Sequence, residues 1–194
     1  MNPPTPQVHG LLLTGGTSRR MGFDKASMLI DDMTCSARAG AALSAVTGVA
    51  LEVGPGGSGL PAVAEPEPGL GPLVALSEGR RALLRRGALG DVLLLACDLP
   101  LVTPQALGLI ARYPSTSSVV PVFEGQPQPL CARWSAADLS ALDDMVTAGD
   151  RSMRGLLALP GIVWLEDAEL SHCLADVDCP ADLARLGLSW TAPR

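Results

Sequence analysis

Aromatic residues are scarce: three Trp, two Phe and one Tyr make up 3% of a 194-residue chain. With so few rings, Ala, Leu, Val and Gly must do most of the packing. That composition fits aliphatic strands and Ala/Leu-rich helices in α/β layers, not an aromatic-rich β-sandwich. Positive charge is also short, with 14 Lys and Arg against 20 Asp and Glu and a net charge of −6. A general nucleic-acid binder needs a basic field, so that class is excluded, although a few local cations could still hold one small anion. The five cysteines form no C-x-x-C pair and only two histidines accompany them, which argues against a structural zinc site. Their odd number and scatter read as reduced thiols of the cytoplasm. The N-terminus lacks a basic start and a long apolar stretch, so no signal peptide is expected. No apolar run approaches the roughly 18 to 20 residues that a membrane helix needs. A soluble, cytoplasmic protein with neither a membrane nor a nucleic-acid partner is the expectation.

What is present points to a folded enzyme core. Hydrophobic residues are 47% and charged residues 18% of the chain, which excludes global disorder. The length suits one domain, expected over residues 8–188, with a flexible tail at 1–7 and another at 189–194. Strands are predicted at Val8–Leu13, Val49–Val53, Pro61–Glu65, Val92–Cys97, Val119–Phe123, Leu130–Trp134 and Ile162–Leu165. Helices are predicted at Ser36–Val46, Leu73–Arg86, Thr103 to about Arg112, Ser135 to about Ala148, Ser152 to near Leu159 and Ala181–Leu186. Strands alternating with helical segments imply a mostly parallel sheet covered on both faces.

The segment Leu11 to Lys25 carries the chemistry. Its apolar strand ends in Thr14-Gly15-Gly16, where missing Cβ atoms let the backbone approach a ligand. Thr17 and Ser18 add hydroxyls, and Arg19, Arg20 and Lys25 add positive charge to an otherwise acidic protein. Phosphate oxygens favour backbone N–H groups and fixed cations together. A Walker loop does not fit, because Met21 stands where its second glycine belongs. A G-x-G-x-x-G fingerprint fails because Gly15 and Gly16 are adjacent. Further on, Asp98 follows the most strand-like segment of the chain, at the edge where open α/β sheets bind ligands. It is either a hard ligand suited to Mg²⁺ or a turn former before Leu99-Pro100.

Leu13 to Lys25 matches L-(A/T)-G-G-x-S-x-R-M-G-x-D-K throughout, and in this the chain resembles the molybdenum cofactor guanylyltransferases, MobA-like nucleotidyltransferases. The resemblance implies a single Rossmann-like three-layer α/β nucleotidyltransferase domain. It implies a nucleotide site formed by Leu13, Thr14, Gly15, Gly16, Ser18, Arg20, Lys25, Glu67, Gly71 and Asp98, with Arg20, Lys25 and Asp98 catalytic. Arg20 and Lys25 are implied contacts to the triphosphate. Cys97-Asp98-Leu-Pro100 resembles the family's C-D-(L/M)-P element, which supplies the Mg²⁺ ligand. Asp176-Val-Asp178-Cys-Pro180 resembles (N/D)-(I/V)-(N/D)-T-P, which makes Asp178 a second metal ligand or a helix-capping residue. Pro68 to Leu73 matches P-G-x-G-P-L, bordering the nucleotide, with Glu65 or Glu67 as the nearby acid. Gln128 to Arg133 resembles an acceptor-side Q-P-L-x-A segment. Arg151-Ser-Met-Arg154 resembles one near the pterin phosphate, or is a solvated basic helix start. Two departures stand out: Gly54 replaces an Asn frequent in the family, and Cys179 replaces Thr.

The implied reaction is transfer of GMP from GTP to the phosphate of molybdopterin or Mo-molybdopterin, releasing pyrophosphate, with molybdenum-cofactor insertion or chaperone proteins as recipients. A transferase using CTP or a different phosphorylated acceptor, and a non-catalytic nucleotide-binding partner, are the alternatives.

Overall fold

The central strands are apolar without alternation because helices cover both faces of their sheet, so inward- and outward-pointing residues alike leave water. The computed structural model describes residues 7–15, 25–65, 67–177 and 180–191. In chain order its first half comprises β1 (Val8–Leu13), a 3₁₀ turn (Lys25–Ser27), β2 (Leu29–Ile30), β3 (Met33–Thr34), α1 (Cys35–Ser44), β4 (Ala50–Val53), β5 (Ala62–Val63) and α2 (Pro72–Arg85). Next come β6 (Asp91–Ala96), α3 (Pro104–Ala111), β7 (Val119–Phe123), β8 (Gln126–Pro127) and β9 (Cys131–Trp134). A second 3₁₀ turn (Asp138–Ala141), α4 (Leu142–Thr147), α5 (Arg154–Leu157), β10 (Val163–Leu165), α6 (Ala168–Ser171), α7 (Pro180–Arg185) and β11 (Trp190–Thr191) complete it.

Among the described residues the main sheet has the order β10-β7-β9-β6-β1-β4-β5, with β8 paired to β7. β1 is parallel to β4 and β6, β4 to β5, and β10 to β7, whereas β9 runs antiparallel to β6 and β7. The sheet is therefore mostly parallel, as the alternation of strands and helices implies. Leu11, Leu13, Leu51, Val53 and Leu94 face the layer of α2, α4 and α5 and pack on Leu73, Leu76, Leu142 and Leu156. Leu12, Leu93 and Leu95 face the opposite layer and pack on Leu43 of α1 and Leu107 and Ile110 of α3. This is the three-layer arrangement expected.

The helix starts follow local chemistry. Thr34 and Thr103 cap α1 and α3 by accepting the N–H of Ala37 and Ala106 on their hydroxyls. Pro72 and Pro104 stand at first-turn positions, where a missing N–H is harmless. One helix expected from Ser135 to Ala148 is instead a 3₁₀ turn followed by a short α4. The Asp138 carboxylate accepts hydrogen bonds from the Ser135 and Ser118 hydroxyls, at 2.8 and 2.5 Å, and ties that first turn to the start of β7.

The small sheet β11-β2-β3 was not expected. Its strands are too short to show a period, and its hairpin turns on Asp31 and Asp32, both at positive φ, with no glycine or asparagine to signal it. Trp190–Thr191 pair with Leu29–Ile30, so part of the segment expected as a C-terminal tail joins this sheet. Trp190 packs on the cluster of Met28, Ile30, Cys35, Val177 and Leu183.

Arg133, placed by the sequence in an acceptor-side segment, is fully buried in β9. Its guanidinium donates to the carbonyls of Ala111, Tyr113, Ser115 and Ser117 and lies 3.5 Å from Asp91. It gathers the α3–β7 connection onto the sheet. Replacing Arg133 by Met should leave those carbonyls and Asp91 without their cation and destabilise the fold by about 3–5 kcal/mol. Thermal melts of the two proteins check this; equal melting temperatures would contradict it.

Candidate active site

β1 has β4 on one side and β6 on the other, and the C-terminal ends of β1 and β6 lie at the edge where open α/β sheets bind ligands. The ends are held level: Leu13 is opposite Ala96, and the Leu13 carbonyl accepts the Cys97 N–H at 3.2 Å. Thr14-Gly15 and Cys97-Asp98 thus leave the sheet side by side. The N-terminus of α2 closes a third side through Gly71 and Pro72.

A cavity of about 350 Å³ lies between these segments. Leu13, Thr14, Gly15, Lys25, Gly71 and Asp98, all expected at the site, line it together. Gly16, Ser18, Arg20 and Asp178 lie outside the described residues. Glu67 is exposed and is not among the lining residues; the acid at the cavity is Glu65, delivered there just after β5. Of the two acids weighed, Glu65 and not Glu67 therefore lines this cavity. The Glu65 carboxylate lies directly against Gly15, in the space a Cβ there would occupy.

A second cavity of about 160 Å³ shares Ala96, Asp98 and Leu130 with the first and adds Gln128, Cys131 and Asp176. Asp98 therefore borders both. The Val177 N–H donates to the Asp98 carbonyl at 3.0 Å, which holds the 176–177 segment beside it. Burial pushes the Cys131 thiol up to about 12, so it stays protonated and is no nucleophile. Arg151 and Arg154 line neither cavity. The Arg151 carbonyl accepts from Leu73, on the α2 side of the larger cavity, while its guanidinium bonds the Val146 carbonyl of α4.

Lys25 and the positive end of the 14-residue α2 favour an anion in the larger cavity. Asp98 is a hard oxygen donor at its edge. No group of three or more His, Cys, Asp or Glu able to hold a metal ion exists among the described residues. A carboxylate beside an anion-favouring cavity fits Mg²⁺, which is typically held by one or two carboxylates plus phosphate oxygens.

Sequence reasoning missed Glu52, whose only signal was one charge inside the apolar strand Ala50–Val53. It is fully buried on β4 opposite Leu12. Its carboxylate accepts the Thr14 hydroxyl at 2.5 Å, the Gly56 N–H at 2.9 Å, and both the N–H and hydroxyl of Ser58, at 2.9 and 2.5 Å. Burial works to raise the Glu52 pKa, but the Ser58 and Thr14 hydroxyls and the Ser58 and Gly56 N–H groups outweigh it and hold the group below its ordinary value. The Thr14 hydroxyl is therefore engaged inside the protein. Gly54, at φ 146°, leaves room for it: a Cβ there would overlap Thr14 Oγ1 and come within 2.9 Å of the Gly15 nitrogen.

The family model described as a MobA-like NTP transferase domain matches residues 10–169. A protein of Mycolicibacterium paratuberculosis named "Probable molybdenum cofactor guanylyltransferase" is 31% identical over 196 residues, covering 93% of this chain and 95% of its own. Among solved structures, the molybdopterin-guanine dinucleotide biosynthesis protein A from Archaeoglobus fulgidus aligns with a TM-score of 0.72 at 18% identity, over 92% of this chain and 96% of that one. A nucleotidyl transferase from Methanothermobacter thermautotroptrophicus aligns with a TM-score of 0.70 at 19% identity, over 93% and 95%. These two structures share the fold.

The lowered Glu52 pKa gives a signed expectation. Its stabilising contribution is complete above the ordinary glutamate value, roughly 4.3, and disappears as pH falls through the lower folded-state value. Glu52→Gln should be less stable than the parent at neutral pH, and the difference should shrink as the pH is lowered past that range. Melting temperatures measured from neutral to acid pH test this, and a difference that stays constant would rule it out.

Proposed function

The chain belongs to the MobA-like NTP transferase family, and on that basis and the site geometry we propose that it is a molybdenum cofactor guanylyltransferase. It moves GMP from GTP onto the terminal phosphate of molybdopterin, or of its molybdenum-loaded form, and releases pyrophosphate. The observation that carries this reading is the convergence of Thr14-Gly15, Lys25 and Asp98 on one cavity, with a second cavity across Asp98. A two-substrate transfer needs two adjoining sites, and the larger one offers a cation and a helix N-terminus to a triphosphate.

A phosphate oxygen of the acceptor is already ionised at neutral pH, so the chain need not supply a strong base. Its work is to bring that oxygen in line with the α-phosphorus and to neutralise the charge that develops. Lys25 stabilises the departing pyrophosphate, and Arg20 is assigned the same role from its place in the loop motif. Asp98, between the cavities, is assigned as the Mg²⁺ ligand, with Asp178 as a candidate second carboxylate. Magnesium bound there supplies charge neutralisation across the phosphates. Glu65 is the acid we assign to the nucleoside. A carboxylate accepts hydrogen bonds, and guanine offers it two adjacent donors, N1–H and the N2 amino group, where cytosine offers only its N4 amino group. Free thiols at Cys35, Cys131 and Cys173 support a cytoplasmic setting, where insertion or chaperone proteins would receive the product.

The test is a screen of nucleotides and phosphorylated acceptors with Mg²⁺, scored by pyrophosphate release. GTP with molybdopterin should be the productive pair; release with CTP instead, or with no pair at all, would overturn the reading. GTP with Mg²⁺ at about 100 times its Kd should also stabilise the fold by about 2.7 kcal/mol, seen as a raised melting temperature. Lys25→Ala and Asp98→Ala should each abolish turnover while the protein still folds, as its circular dichroism spectrum would show. Full activity in either variant would remove that residue from the mechanism.

A further inference from the structure

Glu52 is a fully buried ionisable group for which the reaction has no chemical use. A carboxylate in a sheet interior is expensive to desolvate unless it is fully hydrogen-bonded, and an apolar residue would fill a strand position with less penalty. Its position therefore calls for a reason beyond packing. The four donors supply one, because they come from two separate segments. Three belong to the loop after β4, on Gly56 and Ser58. The fourth is the Thr14 hydroxyl, on the residue that follows β1 and lines the larger cavity. A carboxylate serving only to close the loop would need the first three.

The same two segments also touch through Gly54, which packs so closely on Thr14 and the Gly15 nitrogen that no side chain fits at position 54. Thr14 lies on the sheet face of Leu12 and Glu52, so its hydroxyl points into this network while Gly15, the next residue, is exposed at the cavity.

We propose that Glu52 is a positioning residue for the nucleotide: through the Thr14 hydroxyl it fixes the Thr14–Gly15 peptide at the cavity wall, and Gly54 keeps open the space this contact requires. The inference rests on the reading of the larger cavity as the nucleotide site. A peptide held in place before the ligand arrives loses little freedom on binding, so releasing it weakens affinity for the nucleotide and leaves the transfer step nearly as fast.

Thr14→Val keeps the shape of the side chain and removes the donor, whereas Thr14→Ser keeps the donor and removes a methyl. Pyrophosphate release with varied GTP gives KM and kcat for each. Thr14→Val should raise the KM for GTP about tenfold, equivalent to about 1.4 kcal/mol of binding, with kcat within about threefold of the parent. Thr14→Ser should restore the parent KM. Glu52→Gln should raise KM in the same way, and the double variant Glu52→Gln/Thr14→Val should be no worse than the poorer single one, because both break one unit. An unchanged KM in Thr14→Val, a defect confined to kcat, or a Thr14→Ser variant as impaired as Thr14→Val would overturn the proposal, whatever the melting temperatures do. The parent protein separates the two readings. If none of the nucleotides offered yields pyrophosphate, the assignment of the cavity falls and this role falls with it. If it turns over GTP normally while Thr14→Val keeps the parent KM, only the positioning role is lost.

Discussion

β1 and β6 run parallel and in register, with Leu13 beside Ala96 and the Cys97 N–H on the Leu13 carbonyl. That pairing brings together two segments more than eighty residues apart in the chain and sets them level at one edge of the sheet. Thr14-Gly15 and Asp98 are functional neighbours only because these strands end together. The apolar cover on both faces, Leu11 and Leu94 on one side and Leu12 and Leu93 on the other, fixes the register. A shift of one residue would turn every one of those side chains to the wrong layer. The packing of the core and the geometry of the site are thus one constraint, met by the same short strands.

The two buried charges described above do different work within this frame. Arg133 collects four carbonyls of the α3–β7 connection, a stretch that otherwise leaves several acceptors without partners in the interior. Burial lowers the Arg133 pKa and raises that of Asp91, so the attraction between them only partly offsets their loss of water. Its role is structural. Glu52 has no such excess of acceptors to satisfy; it is itself the acceptor, and it draws donors from the ligand edge into the sheet.

Much of the sheet was legible in the sequence because its strands are continuous apolar runs punctuated by Gly and Pro, and its longer helices open on Thr caps and first-turn prolines. The bounds of β1 were read as Val8–Leu13, and those of α2 and β6 to within one residue at each end. What escaped has short-range causes. The two-residue strands β2, β3 and β11 carry no period, and Asp31-Asp32 adopts a left-handed hairpin turn without the usual residues. At the cavity, the positions of Lys25 and Asp98 were suggested by the local residue pattern, and that of Gly71 by the resemblance alone. Glu65 and Glu67 could not be told apart because the Pro/Gly-rich stretch around them has no periodicity to orient a side chain. Glu52 was hidden for the opposite reason: it sits in a strand whose pattern says only that everything is buried.

Because Asp98 borders both cavities, a molecule that joined their contents would lie across it and keep contacts on both sides at once. Such a product would keep contacts with more of the protein than either reactant does. Departure would then set the pace of the cycle. A protein reaching into the shared rim to peel one half away would speed the whole enzyme without touching the bond-making step.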